Sequence, residues 1–139
     1  AKIMKILIMG LPGSGKTYLA KRMQPILDAA WYNADIVREM ANDWDFSPEG
    51  RIRQSLRMKN LADFEKNHGR MVICDFVCPT KETKENFAPD ITIWMNTIQS
   101  GRYEDTNKMF EEPLDVDYKI TEMNDENHEI ISLEILKNV

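Results

Sequence analysis

The residues with the clearest chemistry are Gly10-Leu11-Pro12-Gly13-Ser14-Gly15-Lys16-Thr17, which fit G-x-x-x-x-G-K-[ST]. The spacing has a physical purpose. Glycines let successive backbone N–H groups curl inward around phosphate oxygens, and a helix starting at Lys16 adds the partial positive charge of its N-terminus. Gly10, Gly13, Ser14 and Gly15 would form the cradle. Lys16 would reach the β- and γ-phosphates, as a binding and catalytic group, and the Thr17 hydroxyl would hold Mg²⁺. The apolar run Ile3–Met9 leads into the loop and Tyr18–Met23 leads out of it, giving strand, loop and helix in that order. Those flanks separate a phosphate loop from a chance glycine-rich turn. The expected ligand is a nucleoside triphosphate, ATP with Mg²⁺.

A second set of polar residues lies downstream. Asp35 and Arg38 are three residues apart. A carboxylate facing the γ-phosphate can orient the metal's water or accept a proton from an attacking hydroxyl, and an arginine can grip an anionic acceptor. The same spacing also suits a plain ion pair on a solvated helix. Phe46, and more weakly Trp44, sit in a polar loop, where an aromatic either stacks on a base or plugs the loop from beneath. Arg51, Gln54 and Ser55 share one helix face, while Arg53 and Arg57 share another that reads as a solvated basic face. Asp75, inside an apolar run, competes with Asp35 for a magnesium role. Cys74 reads as a small buried hydrophobe, and Cys78 lies just beyond it with a spacing that fits neither zinc nor redox pairs. His68 and His128 read as surface residues.

Positioning these residues requires strands that alternate with helices. Ile3–Met9 predicts a buried strand, apolar apart from Lys5, and Lys16 to about Ala30 predicts a helix that Pro25 kinks or ends near Gln24. Ala30–Asn33 predicts a short strand and Asp35–Ala41 a short helix. Ser47, Pro48 and Glu49 mark a helix start, with Gly69 closing that helix after Asn67. Its apolar positions make no single stripe. Further strands are predicted at Met71–Val77, Ile91–Met95 and Tyr118–Thr121, with a charged helix over Thr80–Asn86. A last helix, capped by Asn124 or Asp125, would run through Leu136, although Ile131–Ile135 also alternates like a strand. The pattern predicts one domain over residues 1–139: a three-layer α/β/α phosphate-loop fold around a mostly parallel sheet of about five strands. Ligands in such sheets bind at the carboxyl ends of the strands, which puts Gly10–Thr17, Asn33–Arg38, Asp75–Pro79 and Asn96–Arg102 along one rim.

The 139 residues carry a net charge of 18 − 23 = −5. That disfavours broad nucleic-acid or membrane surfaces. The absence of a signal pattern and of a long apolar run predicts a cytoplasmic protein. Oligomeric state is not readable, and a homodimer is compatible with the chain.

In order and approximate spacing, Gly10–Thr17, Asn33–Arg38, Phe46–Gln54 and Phe76–Pro79 resemble the adenylylsulfate kinases. That family's pattern is roughly G-L-S-G-S-G-K-S/T, D-G-D-N-x-R, G-F-S-x-x-D-R-x-x-N and F-I-S-P-Y. The resemblance covers about residues 3–80, and Phe110 with Glu111-Glu112-Pro113 is similar to a later family segment. It implies transfer of the γ-phosphate of Mg·ATP to the 3′-hydroxyl of adenosine 5′-phosphosulfate. It further implies that Asp35 is the Mg²⁺ and base aspartate, and that Arg38 and Arg51 bind the phosphosulfate side. Phe46 and Phe110 would sandwich the adenine, Gln54 would replace the family's asparagine, and Val77 would line the pocket. The chain departs from the pattern at Asn33-Ala34 for Asp-Gly and at Cys78-Pro79-Thr80 for Ser-Pro-Tyr, and Lys81 replaces an arginine. It lacks the basic lid K-G-L-Y-x-x-A-R, leaving Arg102 as a reduced lid arginine near the nucleotide. Two further readings stand beside the kinase for a small anionic acceptor. One is a kinase for a nucleoside or sugar; the other is an ATP-binding regulatory protein that has lost transfer activity.

Overall fold

The computed structural model describes residues 4–11, 14–77, 80–97, 116–122 and 127–137. Strand β1 (Lys5–Met9) is buried along its whole length. It lies at the centre of a sheet with β2 (Ala30–Asn33), β3 (Val72–Asp75), β4 (Ile91–Met95) and β5 (Tyr118–Ile120), in the order β2-β3-β1-β4-β5. All of these pairings are parallel.

The alternation of side chains along β1 explains the three layers. Ile6 and Ile8 pack on one face with Leu19, Met23 and Leu27 of α1 (Lys16–Leu27) and with Ile131 and Ile135 of α5 (Asn127–Lys137). Leu7 and Met9 pack on the other face. Their neighbours there are Val37 of α2 (Ala34–Ala41), Met58 and Ala62 of α3 (Pro48–Asn67), and Phe87 of α4 (Lys81–Phe87). Burying each such side chain stabilises the fold by about 1.5–3 kcal/mol. Lys5, the one charge in β1, is buried beside the Phe87 ring and donates from Nζ to Asp63 Oδ1 of α3 at 2.7 Å. Burial also pushes the Cys74 thiol well above its ordinary value, as expected of an inert packing residue.

Several predicted boundaries move. Helix α1 runs past Pro25 and stops at Leu27, because Asp28 takes a left-handed conformation (φ 50°) and sends its N–H back to the Gln24 carbonyl. Ala30 belongs to the sheet, its N–H bonding to the Met71 carbonyl at 2.9 Å. Asn33 caps α2, Ser47 caps α3 by accepting from the Gly50 N–H, and Thr80 caps α4 in a reciprocal pair with Thr83. Each such cap contributes about 1 kcal/mol. The 131–135 stretch is helical, since Ile131 and Ile135 turn together onto the sheet. On α3, Leu56 and Phe64 remain exposed, whereas Gln54 and Ser55 are buried. The outward apolar residues account for the missing stripe. His68 is exposed as expected, whereas His128 is half-buried, with Nδ1 withdrawn from solvent on the first turn of α5. No helix among the described residues is long and apolar enough to cross a membrane.

Candidate functional site

The carboxyl ends of β1, β2, β3 and β4 open on one rim, and the loop after β1 lies at its centre. The loop is held at both ends. The Leu11 carbonyl accepts from the Ser14 N–H at 3.1 Å and from Lys16 Nζ at 3.0 Å. The Ser14 carbonyl accepts from Thr97 Oγ1 at 2.7 Å, which ties the loop to the end of β4. Gly10 is forced by space: a Cβ there would stand 2.6 Å from Ser14 Oγ and 2.7 Å from the Met95 carbonyl oxygen. Gly15 takes φ 98° and turns the chain into α1. Ser14 is buried, and its Oγ has no hydrogen-bond partner among the described residues. Gly13 lies outside the described residues.

Beside the loop, three side chains from three elements form a chain of hydrogen bonds. Asn33 and Asp75 are register partners at the ends of β2 and β3. Asn33 Nδ2 donates to Asp75 Oδ1 at 2.8 Å and to Thr17 Oγ1, on α1, at 3.1 Å. Asn33 Oδ1 accepts the Asp35 and Ile36 N–H groups at the start of α2. Trp31 Nε1 donates to Asp75 Oδ2 at 2.7 Å. Burial raises the Asp75 pKa; the Trp31 and Asn33 hydrogen bonds and the Lys16 charge pull against that rise. Asp35 stands exposed in the first turn of α2, on the same rim.

On the far side of α2 lies a charged loop. Arg38 is 5% exposed, so it is no member of a solvated ion pair. Its Nη1 donates to the Asp43 and Asp45 carbonyls at 2.9 and 3.2 Å, and burial lowers its pKa. The Phe46 ring is half-exposed, with the Arg38 and Arg51 guanidiniums 4.5 and 5.5 Å from its centroid. It is therefore not a plug under the loop. Arg51 Nε holds the Phe46 carbonyl at 2.9 Å. Arg53 and Arg57 both grip the Asp43 carboxylate, at 2.7 and 2.9 Å. The expected solvated basic face is thus a clamp on the loop, because Asp43 reaches both guanidiniums. Gln54 is buried and used at both ends, giving Nε2 to the Ala34 carbonyl and taking Arg57 Nη1 on Oε1. Gly50, buried at the start of α3, has room for no Cβ against the Asp45 carbonyl.

Of the residues expected at the site, the rim brings together Gly10, Ser14, Gly15, Lys16, Thr17 and Asp35, with Asp75 beside them. Arg38, Phe46 and Arg51 cluster around one ring. Val77 is half-buried just past the end of β3. Arg102, Phe110 and Cys78 lie outside the described residues. Sequence reasoning missed Asn33 and Asp43. The departure from Asp at position 33 was the available signal for the first; only an acid among turn formers marked the second.

The donors beside Thr17 are hard oxygens, from a hydroxyl and nearby carboxylates, and suit Mg²⁺ held together with substrate phosphates. No group of three or more His, Cys, Asp or Glu side chains that could hold a metal by itself is found among the described residues. The buried, unpartnered Ser14 hydroxyl and the close-packed cradle at Gly10 suit a phosphate ligand.

A curated relative, "Probable adenylyl-sulfate kinase" of Aeropyrum pernix, is 33% identical over 86 residues, which cover 55% of this chain and 45% of that protein. The match thus spans about half the length of that relative. The Mycobacterium tuberculosis APS kinase, solved in complex with AMPPNP and APS, has the same fold at a TM-score of 0.72 and 16% identity, covering 99% of this chain and 98% of that one. A gluconokinase from Sinorhizobium meliloti aligns at a TM-score of 0.68 and 10% identity, covering 96% and 93%. The family model for adenylylsulphate kinase matches residues 2–99, a stretch that includes the phosphate loop, the Asn33–Asp75 pair and the Arg38–Phe46–Arg51 cluster, and the chain belongs to that family.

Proposed function

We propose that this chain transfers the γ-phosphate of ATP to the 3′-hydroxyl of adenosine 5′-phosphosulfate. The observation that carries the acceptor side is the half-exposed Phe46 ring flanked by the guanidiniums of Arg38 and Arg51. An aromatic face set in positive charge suits an acceptor that is both a planar base and an anion. The family match supports the donor side.

The loop amides and Lys16 hold the triphosphate, and Thr17 is the hydroxyl ligand for Mg²⁺. Mg²⁺ held there would partly neutralise the charge of the phosphate oxygens. Asp35 accepts the proton of the acceptor hydroxyl. The acceptor oxygen forms its bond to the γ-phosphorus as the bond to the β-phosphate oxygen breaks, and ADP leaves with that electron pair. Lys16 stabilises the charge that moves onto the leaving group. Arg38 and Arg51 hold the acceptor's phosphosulfate, and Phe46 stacks on its adenine. Phe110 would cover the other adenine face, Gln54 and Val77 would border the pocket, and Arg102 would approach the nucleotide. Arg38 gives only Nη1 to the Asp43 and Asp45 carbonyls, and its Nε and Nη2 hydrogens would serve the anion.

A coupled ADP-release assay with ATP, Mg²⁺ and a panel of adenylylsulfate, gluconate, shikimate and a nucleoside tests this reading. Adenylylsulfate should give the largest kcat/KM. Stronger stimulation by a sugar acid or nucleoside would replace the acceptor. ATP binding with no acceptor-stimulated ADP release would favour a nucleotide-binding protein without transfer activity.

A further inference from the structure

We infer that Gln54 is a positioning residue for phosphoryl transfer. It ties the start of α2, which carries Asp35, to the loop that carries Phe46. It thereby sets where the proton acceptor stands relative to the bound hydroxyl, and it does so without touching the acceptor. This rests on the kinase reading above, with Asp35 as the base.

Gln54 shares the inward face of α3 with Met58 and Ala62, which follow it at helical spacing and pack under the sheet. Met58 and Ala62 are apolar; Gln54 is an amide, and it is 4% exposed. An apolar side chain of the same length would be buried there without the desolvation cost of an amide. The amide provides two directed bonds instead. Nε2 donates to the Ala34 carbonyl at 3.1 Å, and Oε1 accepts from Arg57 Nη1 at 2.6 Å. A carbonyl only accepts and a guanidinium only donates, so the amide has one orientation. Arg57 carries the tie onward, donating from Nη2 to Asp43 Oδ2 at 2.9 Å, three residues before Phe46. At the other end, Ala34 immediately precedes Asp35 in the first turn of α2.

Two departures from the family pattern meet in this bond. Ala34 stands in place of glycine, and Gln54 in place of asparagine. An asparagine is shorter by one carbon–carbon bond, about 1.5 Å, and from the same backbone it would give up one of the two partners. The plainer account is that Gln54 hydrogen-bonds the acceptor itself. Its burial and the engagement of both ends of its amide argue against that. The loop also has holds that do not pass through Gln54. Arg53 grips the Asp43 carboxylate, and Arg38 holds the Asp43 and Asp45 carbonyls. Loss of the Gln54 amide therefore leaves the Phe46 ring in place and loosens the start of α2. The effect falls on the transfer step and spares acceptor affinity.

The test is steady-state kinetics with ATP, Mg²⁺ and adenylylsulfate on the wild type, Gln54→Met, Gln54→Asn, Arg57→Met and the double variant of Gln54→Met with Arg57→Met. Gln54→Met keeps the length of the side chain and removes both bonds. It should lower kcat by about 10- to 100-fold, the scale of a misplacement of about 1 Å, with the acceptor KM and the ATP dissociation constant nearly unchanged. Gln54→Asn should lose kcat in the same way, although it supplies the family's residue. Arg57→Met should lower kcat alone but add little to Gln54→Met, because Arg57 acts through the amide. A Gln54→Met protein with kcat intact and the acceptor KM raised would make Gln54 a direct ligand. One that keeps both constants and only melts earlier would make it a packing residue. Either result, or full activity in Gln54→Asn, overturns the inference and leaves the kinase reading standing. A wild type without acceptor-stimulated ADP release overturns both. If Gln54→Met fails to fold, the same split between kcat and KM in Gln54→Asn decides.

Discussion

The two halves of the candidate site are built in opposite ways. Around the phosphate loop, backbone does most of the work. Gly10 is pressed against Met95, the Leu11 carbonyl takes both the Ser14 amide and Lys16, and Ser14 Oγ is buried without a partner among the described residues. Around Phe46, side chains do the work, and much of their hydrogen bonding is directed at one another. Arg38 and Arg51 hold backbone carbonyls of the loop, Arg53 and Arg57 hold Asp43, and Gln54 bridges α2 to Arg57. The difference teaches where each half gets its specificity. A backbone cradle accepts phosphate by shape and is sensitive to any added atom. A side-chain network offers a ligand the donors that its internal bonds leave over, so its affinity depends on how firmly those bonds hold them in place.

That contrast can be broken experimentally. The largest effect belongs to Lys16→Met. Removing a donor aimed at developing charge costs on the order of 100- to 1,000-fold in kcat, and steady-state kinetics should show that loss with every acceptor. Arg51→Ala comes next. The loss of a charge-assisted hydrogen bond should raise the acceptor KM by roughly 10- to 100-fold and leave the ATP dissociation constant nearly unchanged. Equal loss of both would mean that Arg51 is structural and that the two halves are not separate.

The two crowded glycines sharpen the same division. Gly10→Ala and Gly50→Ala each force an atom against a carbonyl, of Met95 and Asp45 respectively. Overpacking of this kind costs about 1–3 kcal/mol. By calorimetry, Gly10→Ala should weaken ATP binding. Gly50→Ala should weaken acceptor binding and spare ATP.

The smallest effect concerns pH. Hydrogen bonds from Arg53 and Arg57 hold the Asp43 pKa far below its ordinary 3.8. A depressed carboxylate contributes stability above its unfolded pKa and loses that contribution as the pH falls below it. Acid unfolding followed by tryptophan fluorescence should therefore be less steep below about pH 4 in Asp43→Asn, with little change at neutral pH. An identical acid profile would show that the clamp on this loop contributes nothing measurable.

Reading the chain without its structure recovered what depends on local pattern. The glycine spacing, the apolar runs of β1, β3 and β4, and the Ser47-Pro48-Glu49 start of α3 are local signals with local causes. The Asn33–Asp75–Thr17 chain was not legible, because it exists only through the register of β2 on β3. Arg38 was left between a solvated ion pair and an anion grip. Its burial comes from a loop folding back over it, which no spacing announces. Helix α1 ended where a left-handed Asp28, rather than Pro25, closed it. The apolar positions of α3 gave no orientation, since Leu56 and Phe64 face outward while Gln54 and Ser55 face inward.

The central claim is that phosphate moves from ATP to an organic hydroxyl and not to water. Phosphorus NMR of the protein with ATP, Mg²⁺ and adenylylsulfate tests it directly. The account predicts ADP and a new phosphomonoester resonance growing in equal amounts, coupled to the proton at the ribose 3′ position. ADP appearing with inorganic phosphate alone would contradict it.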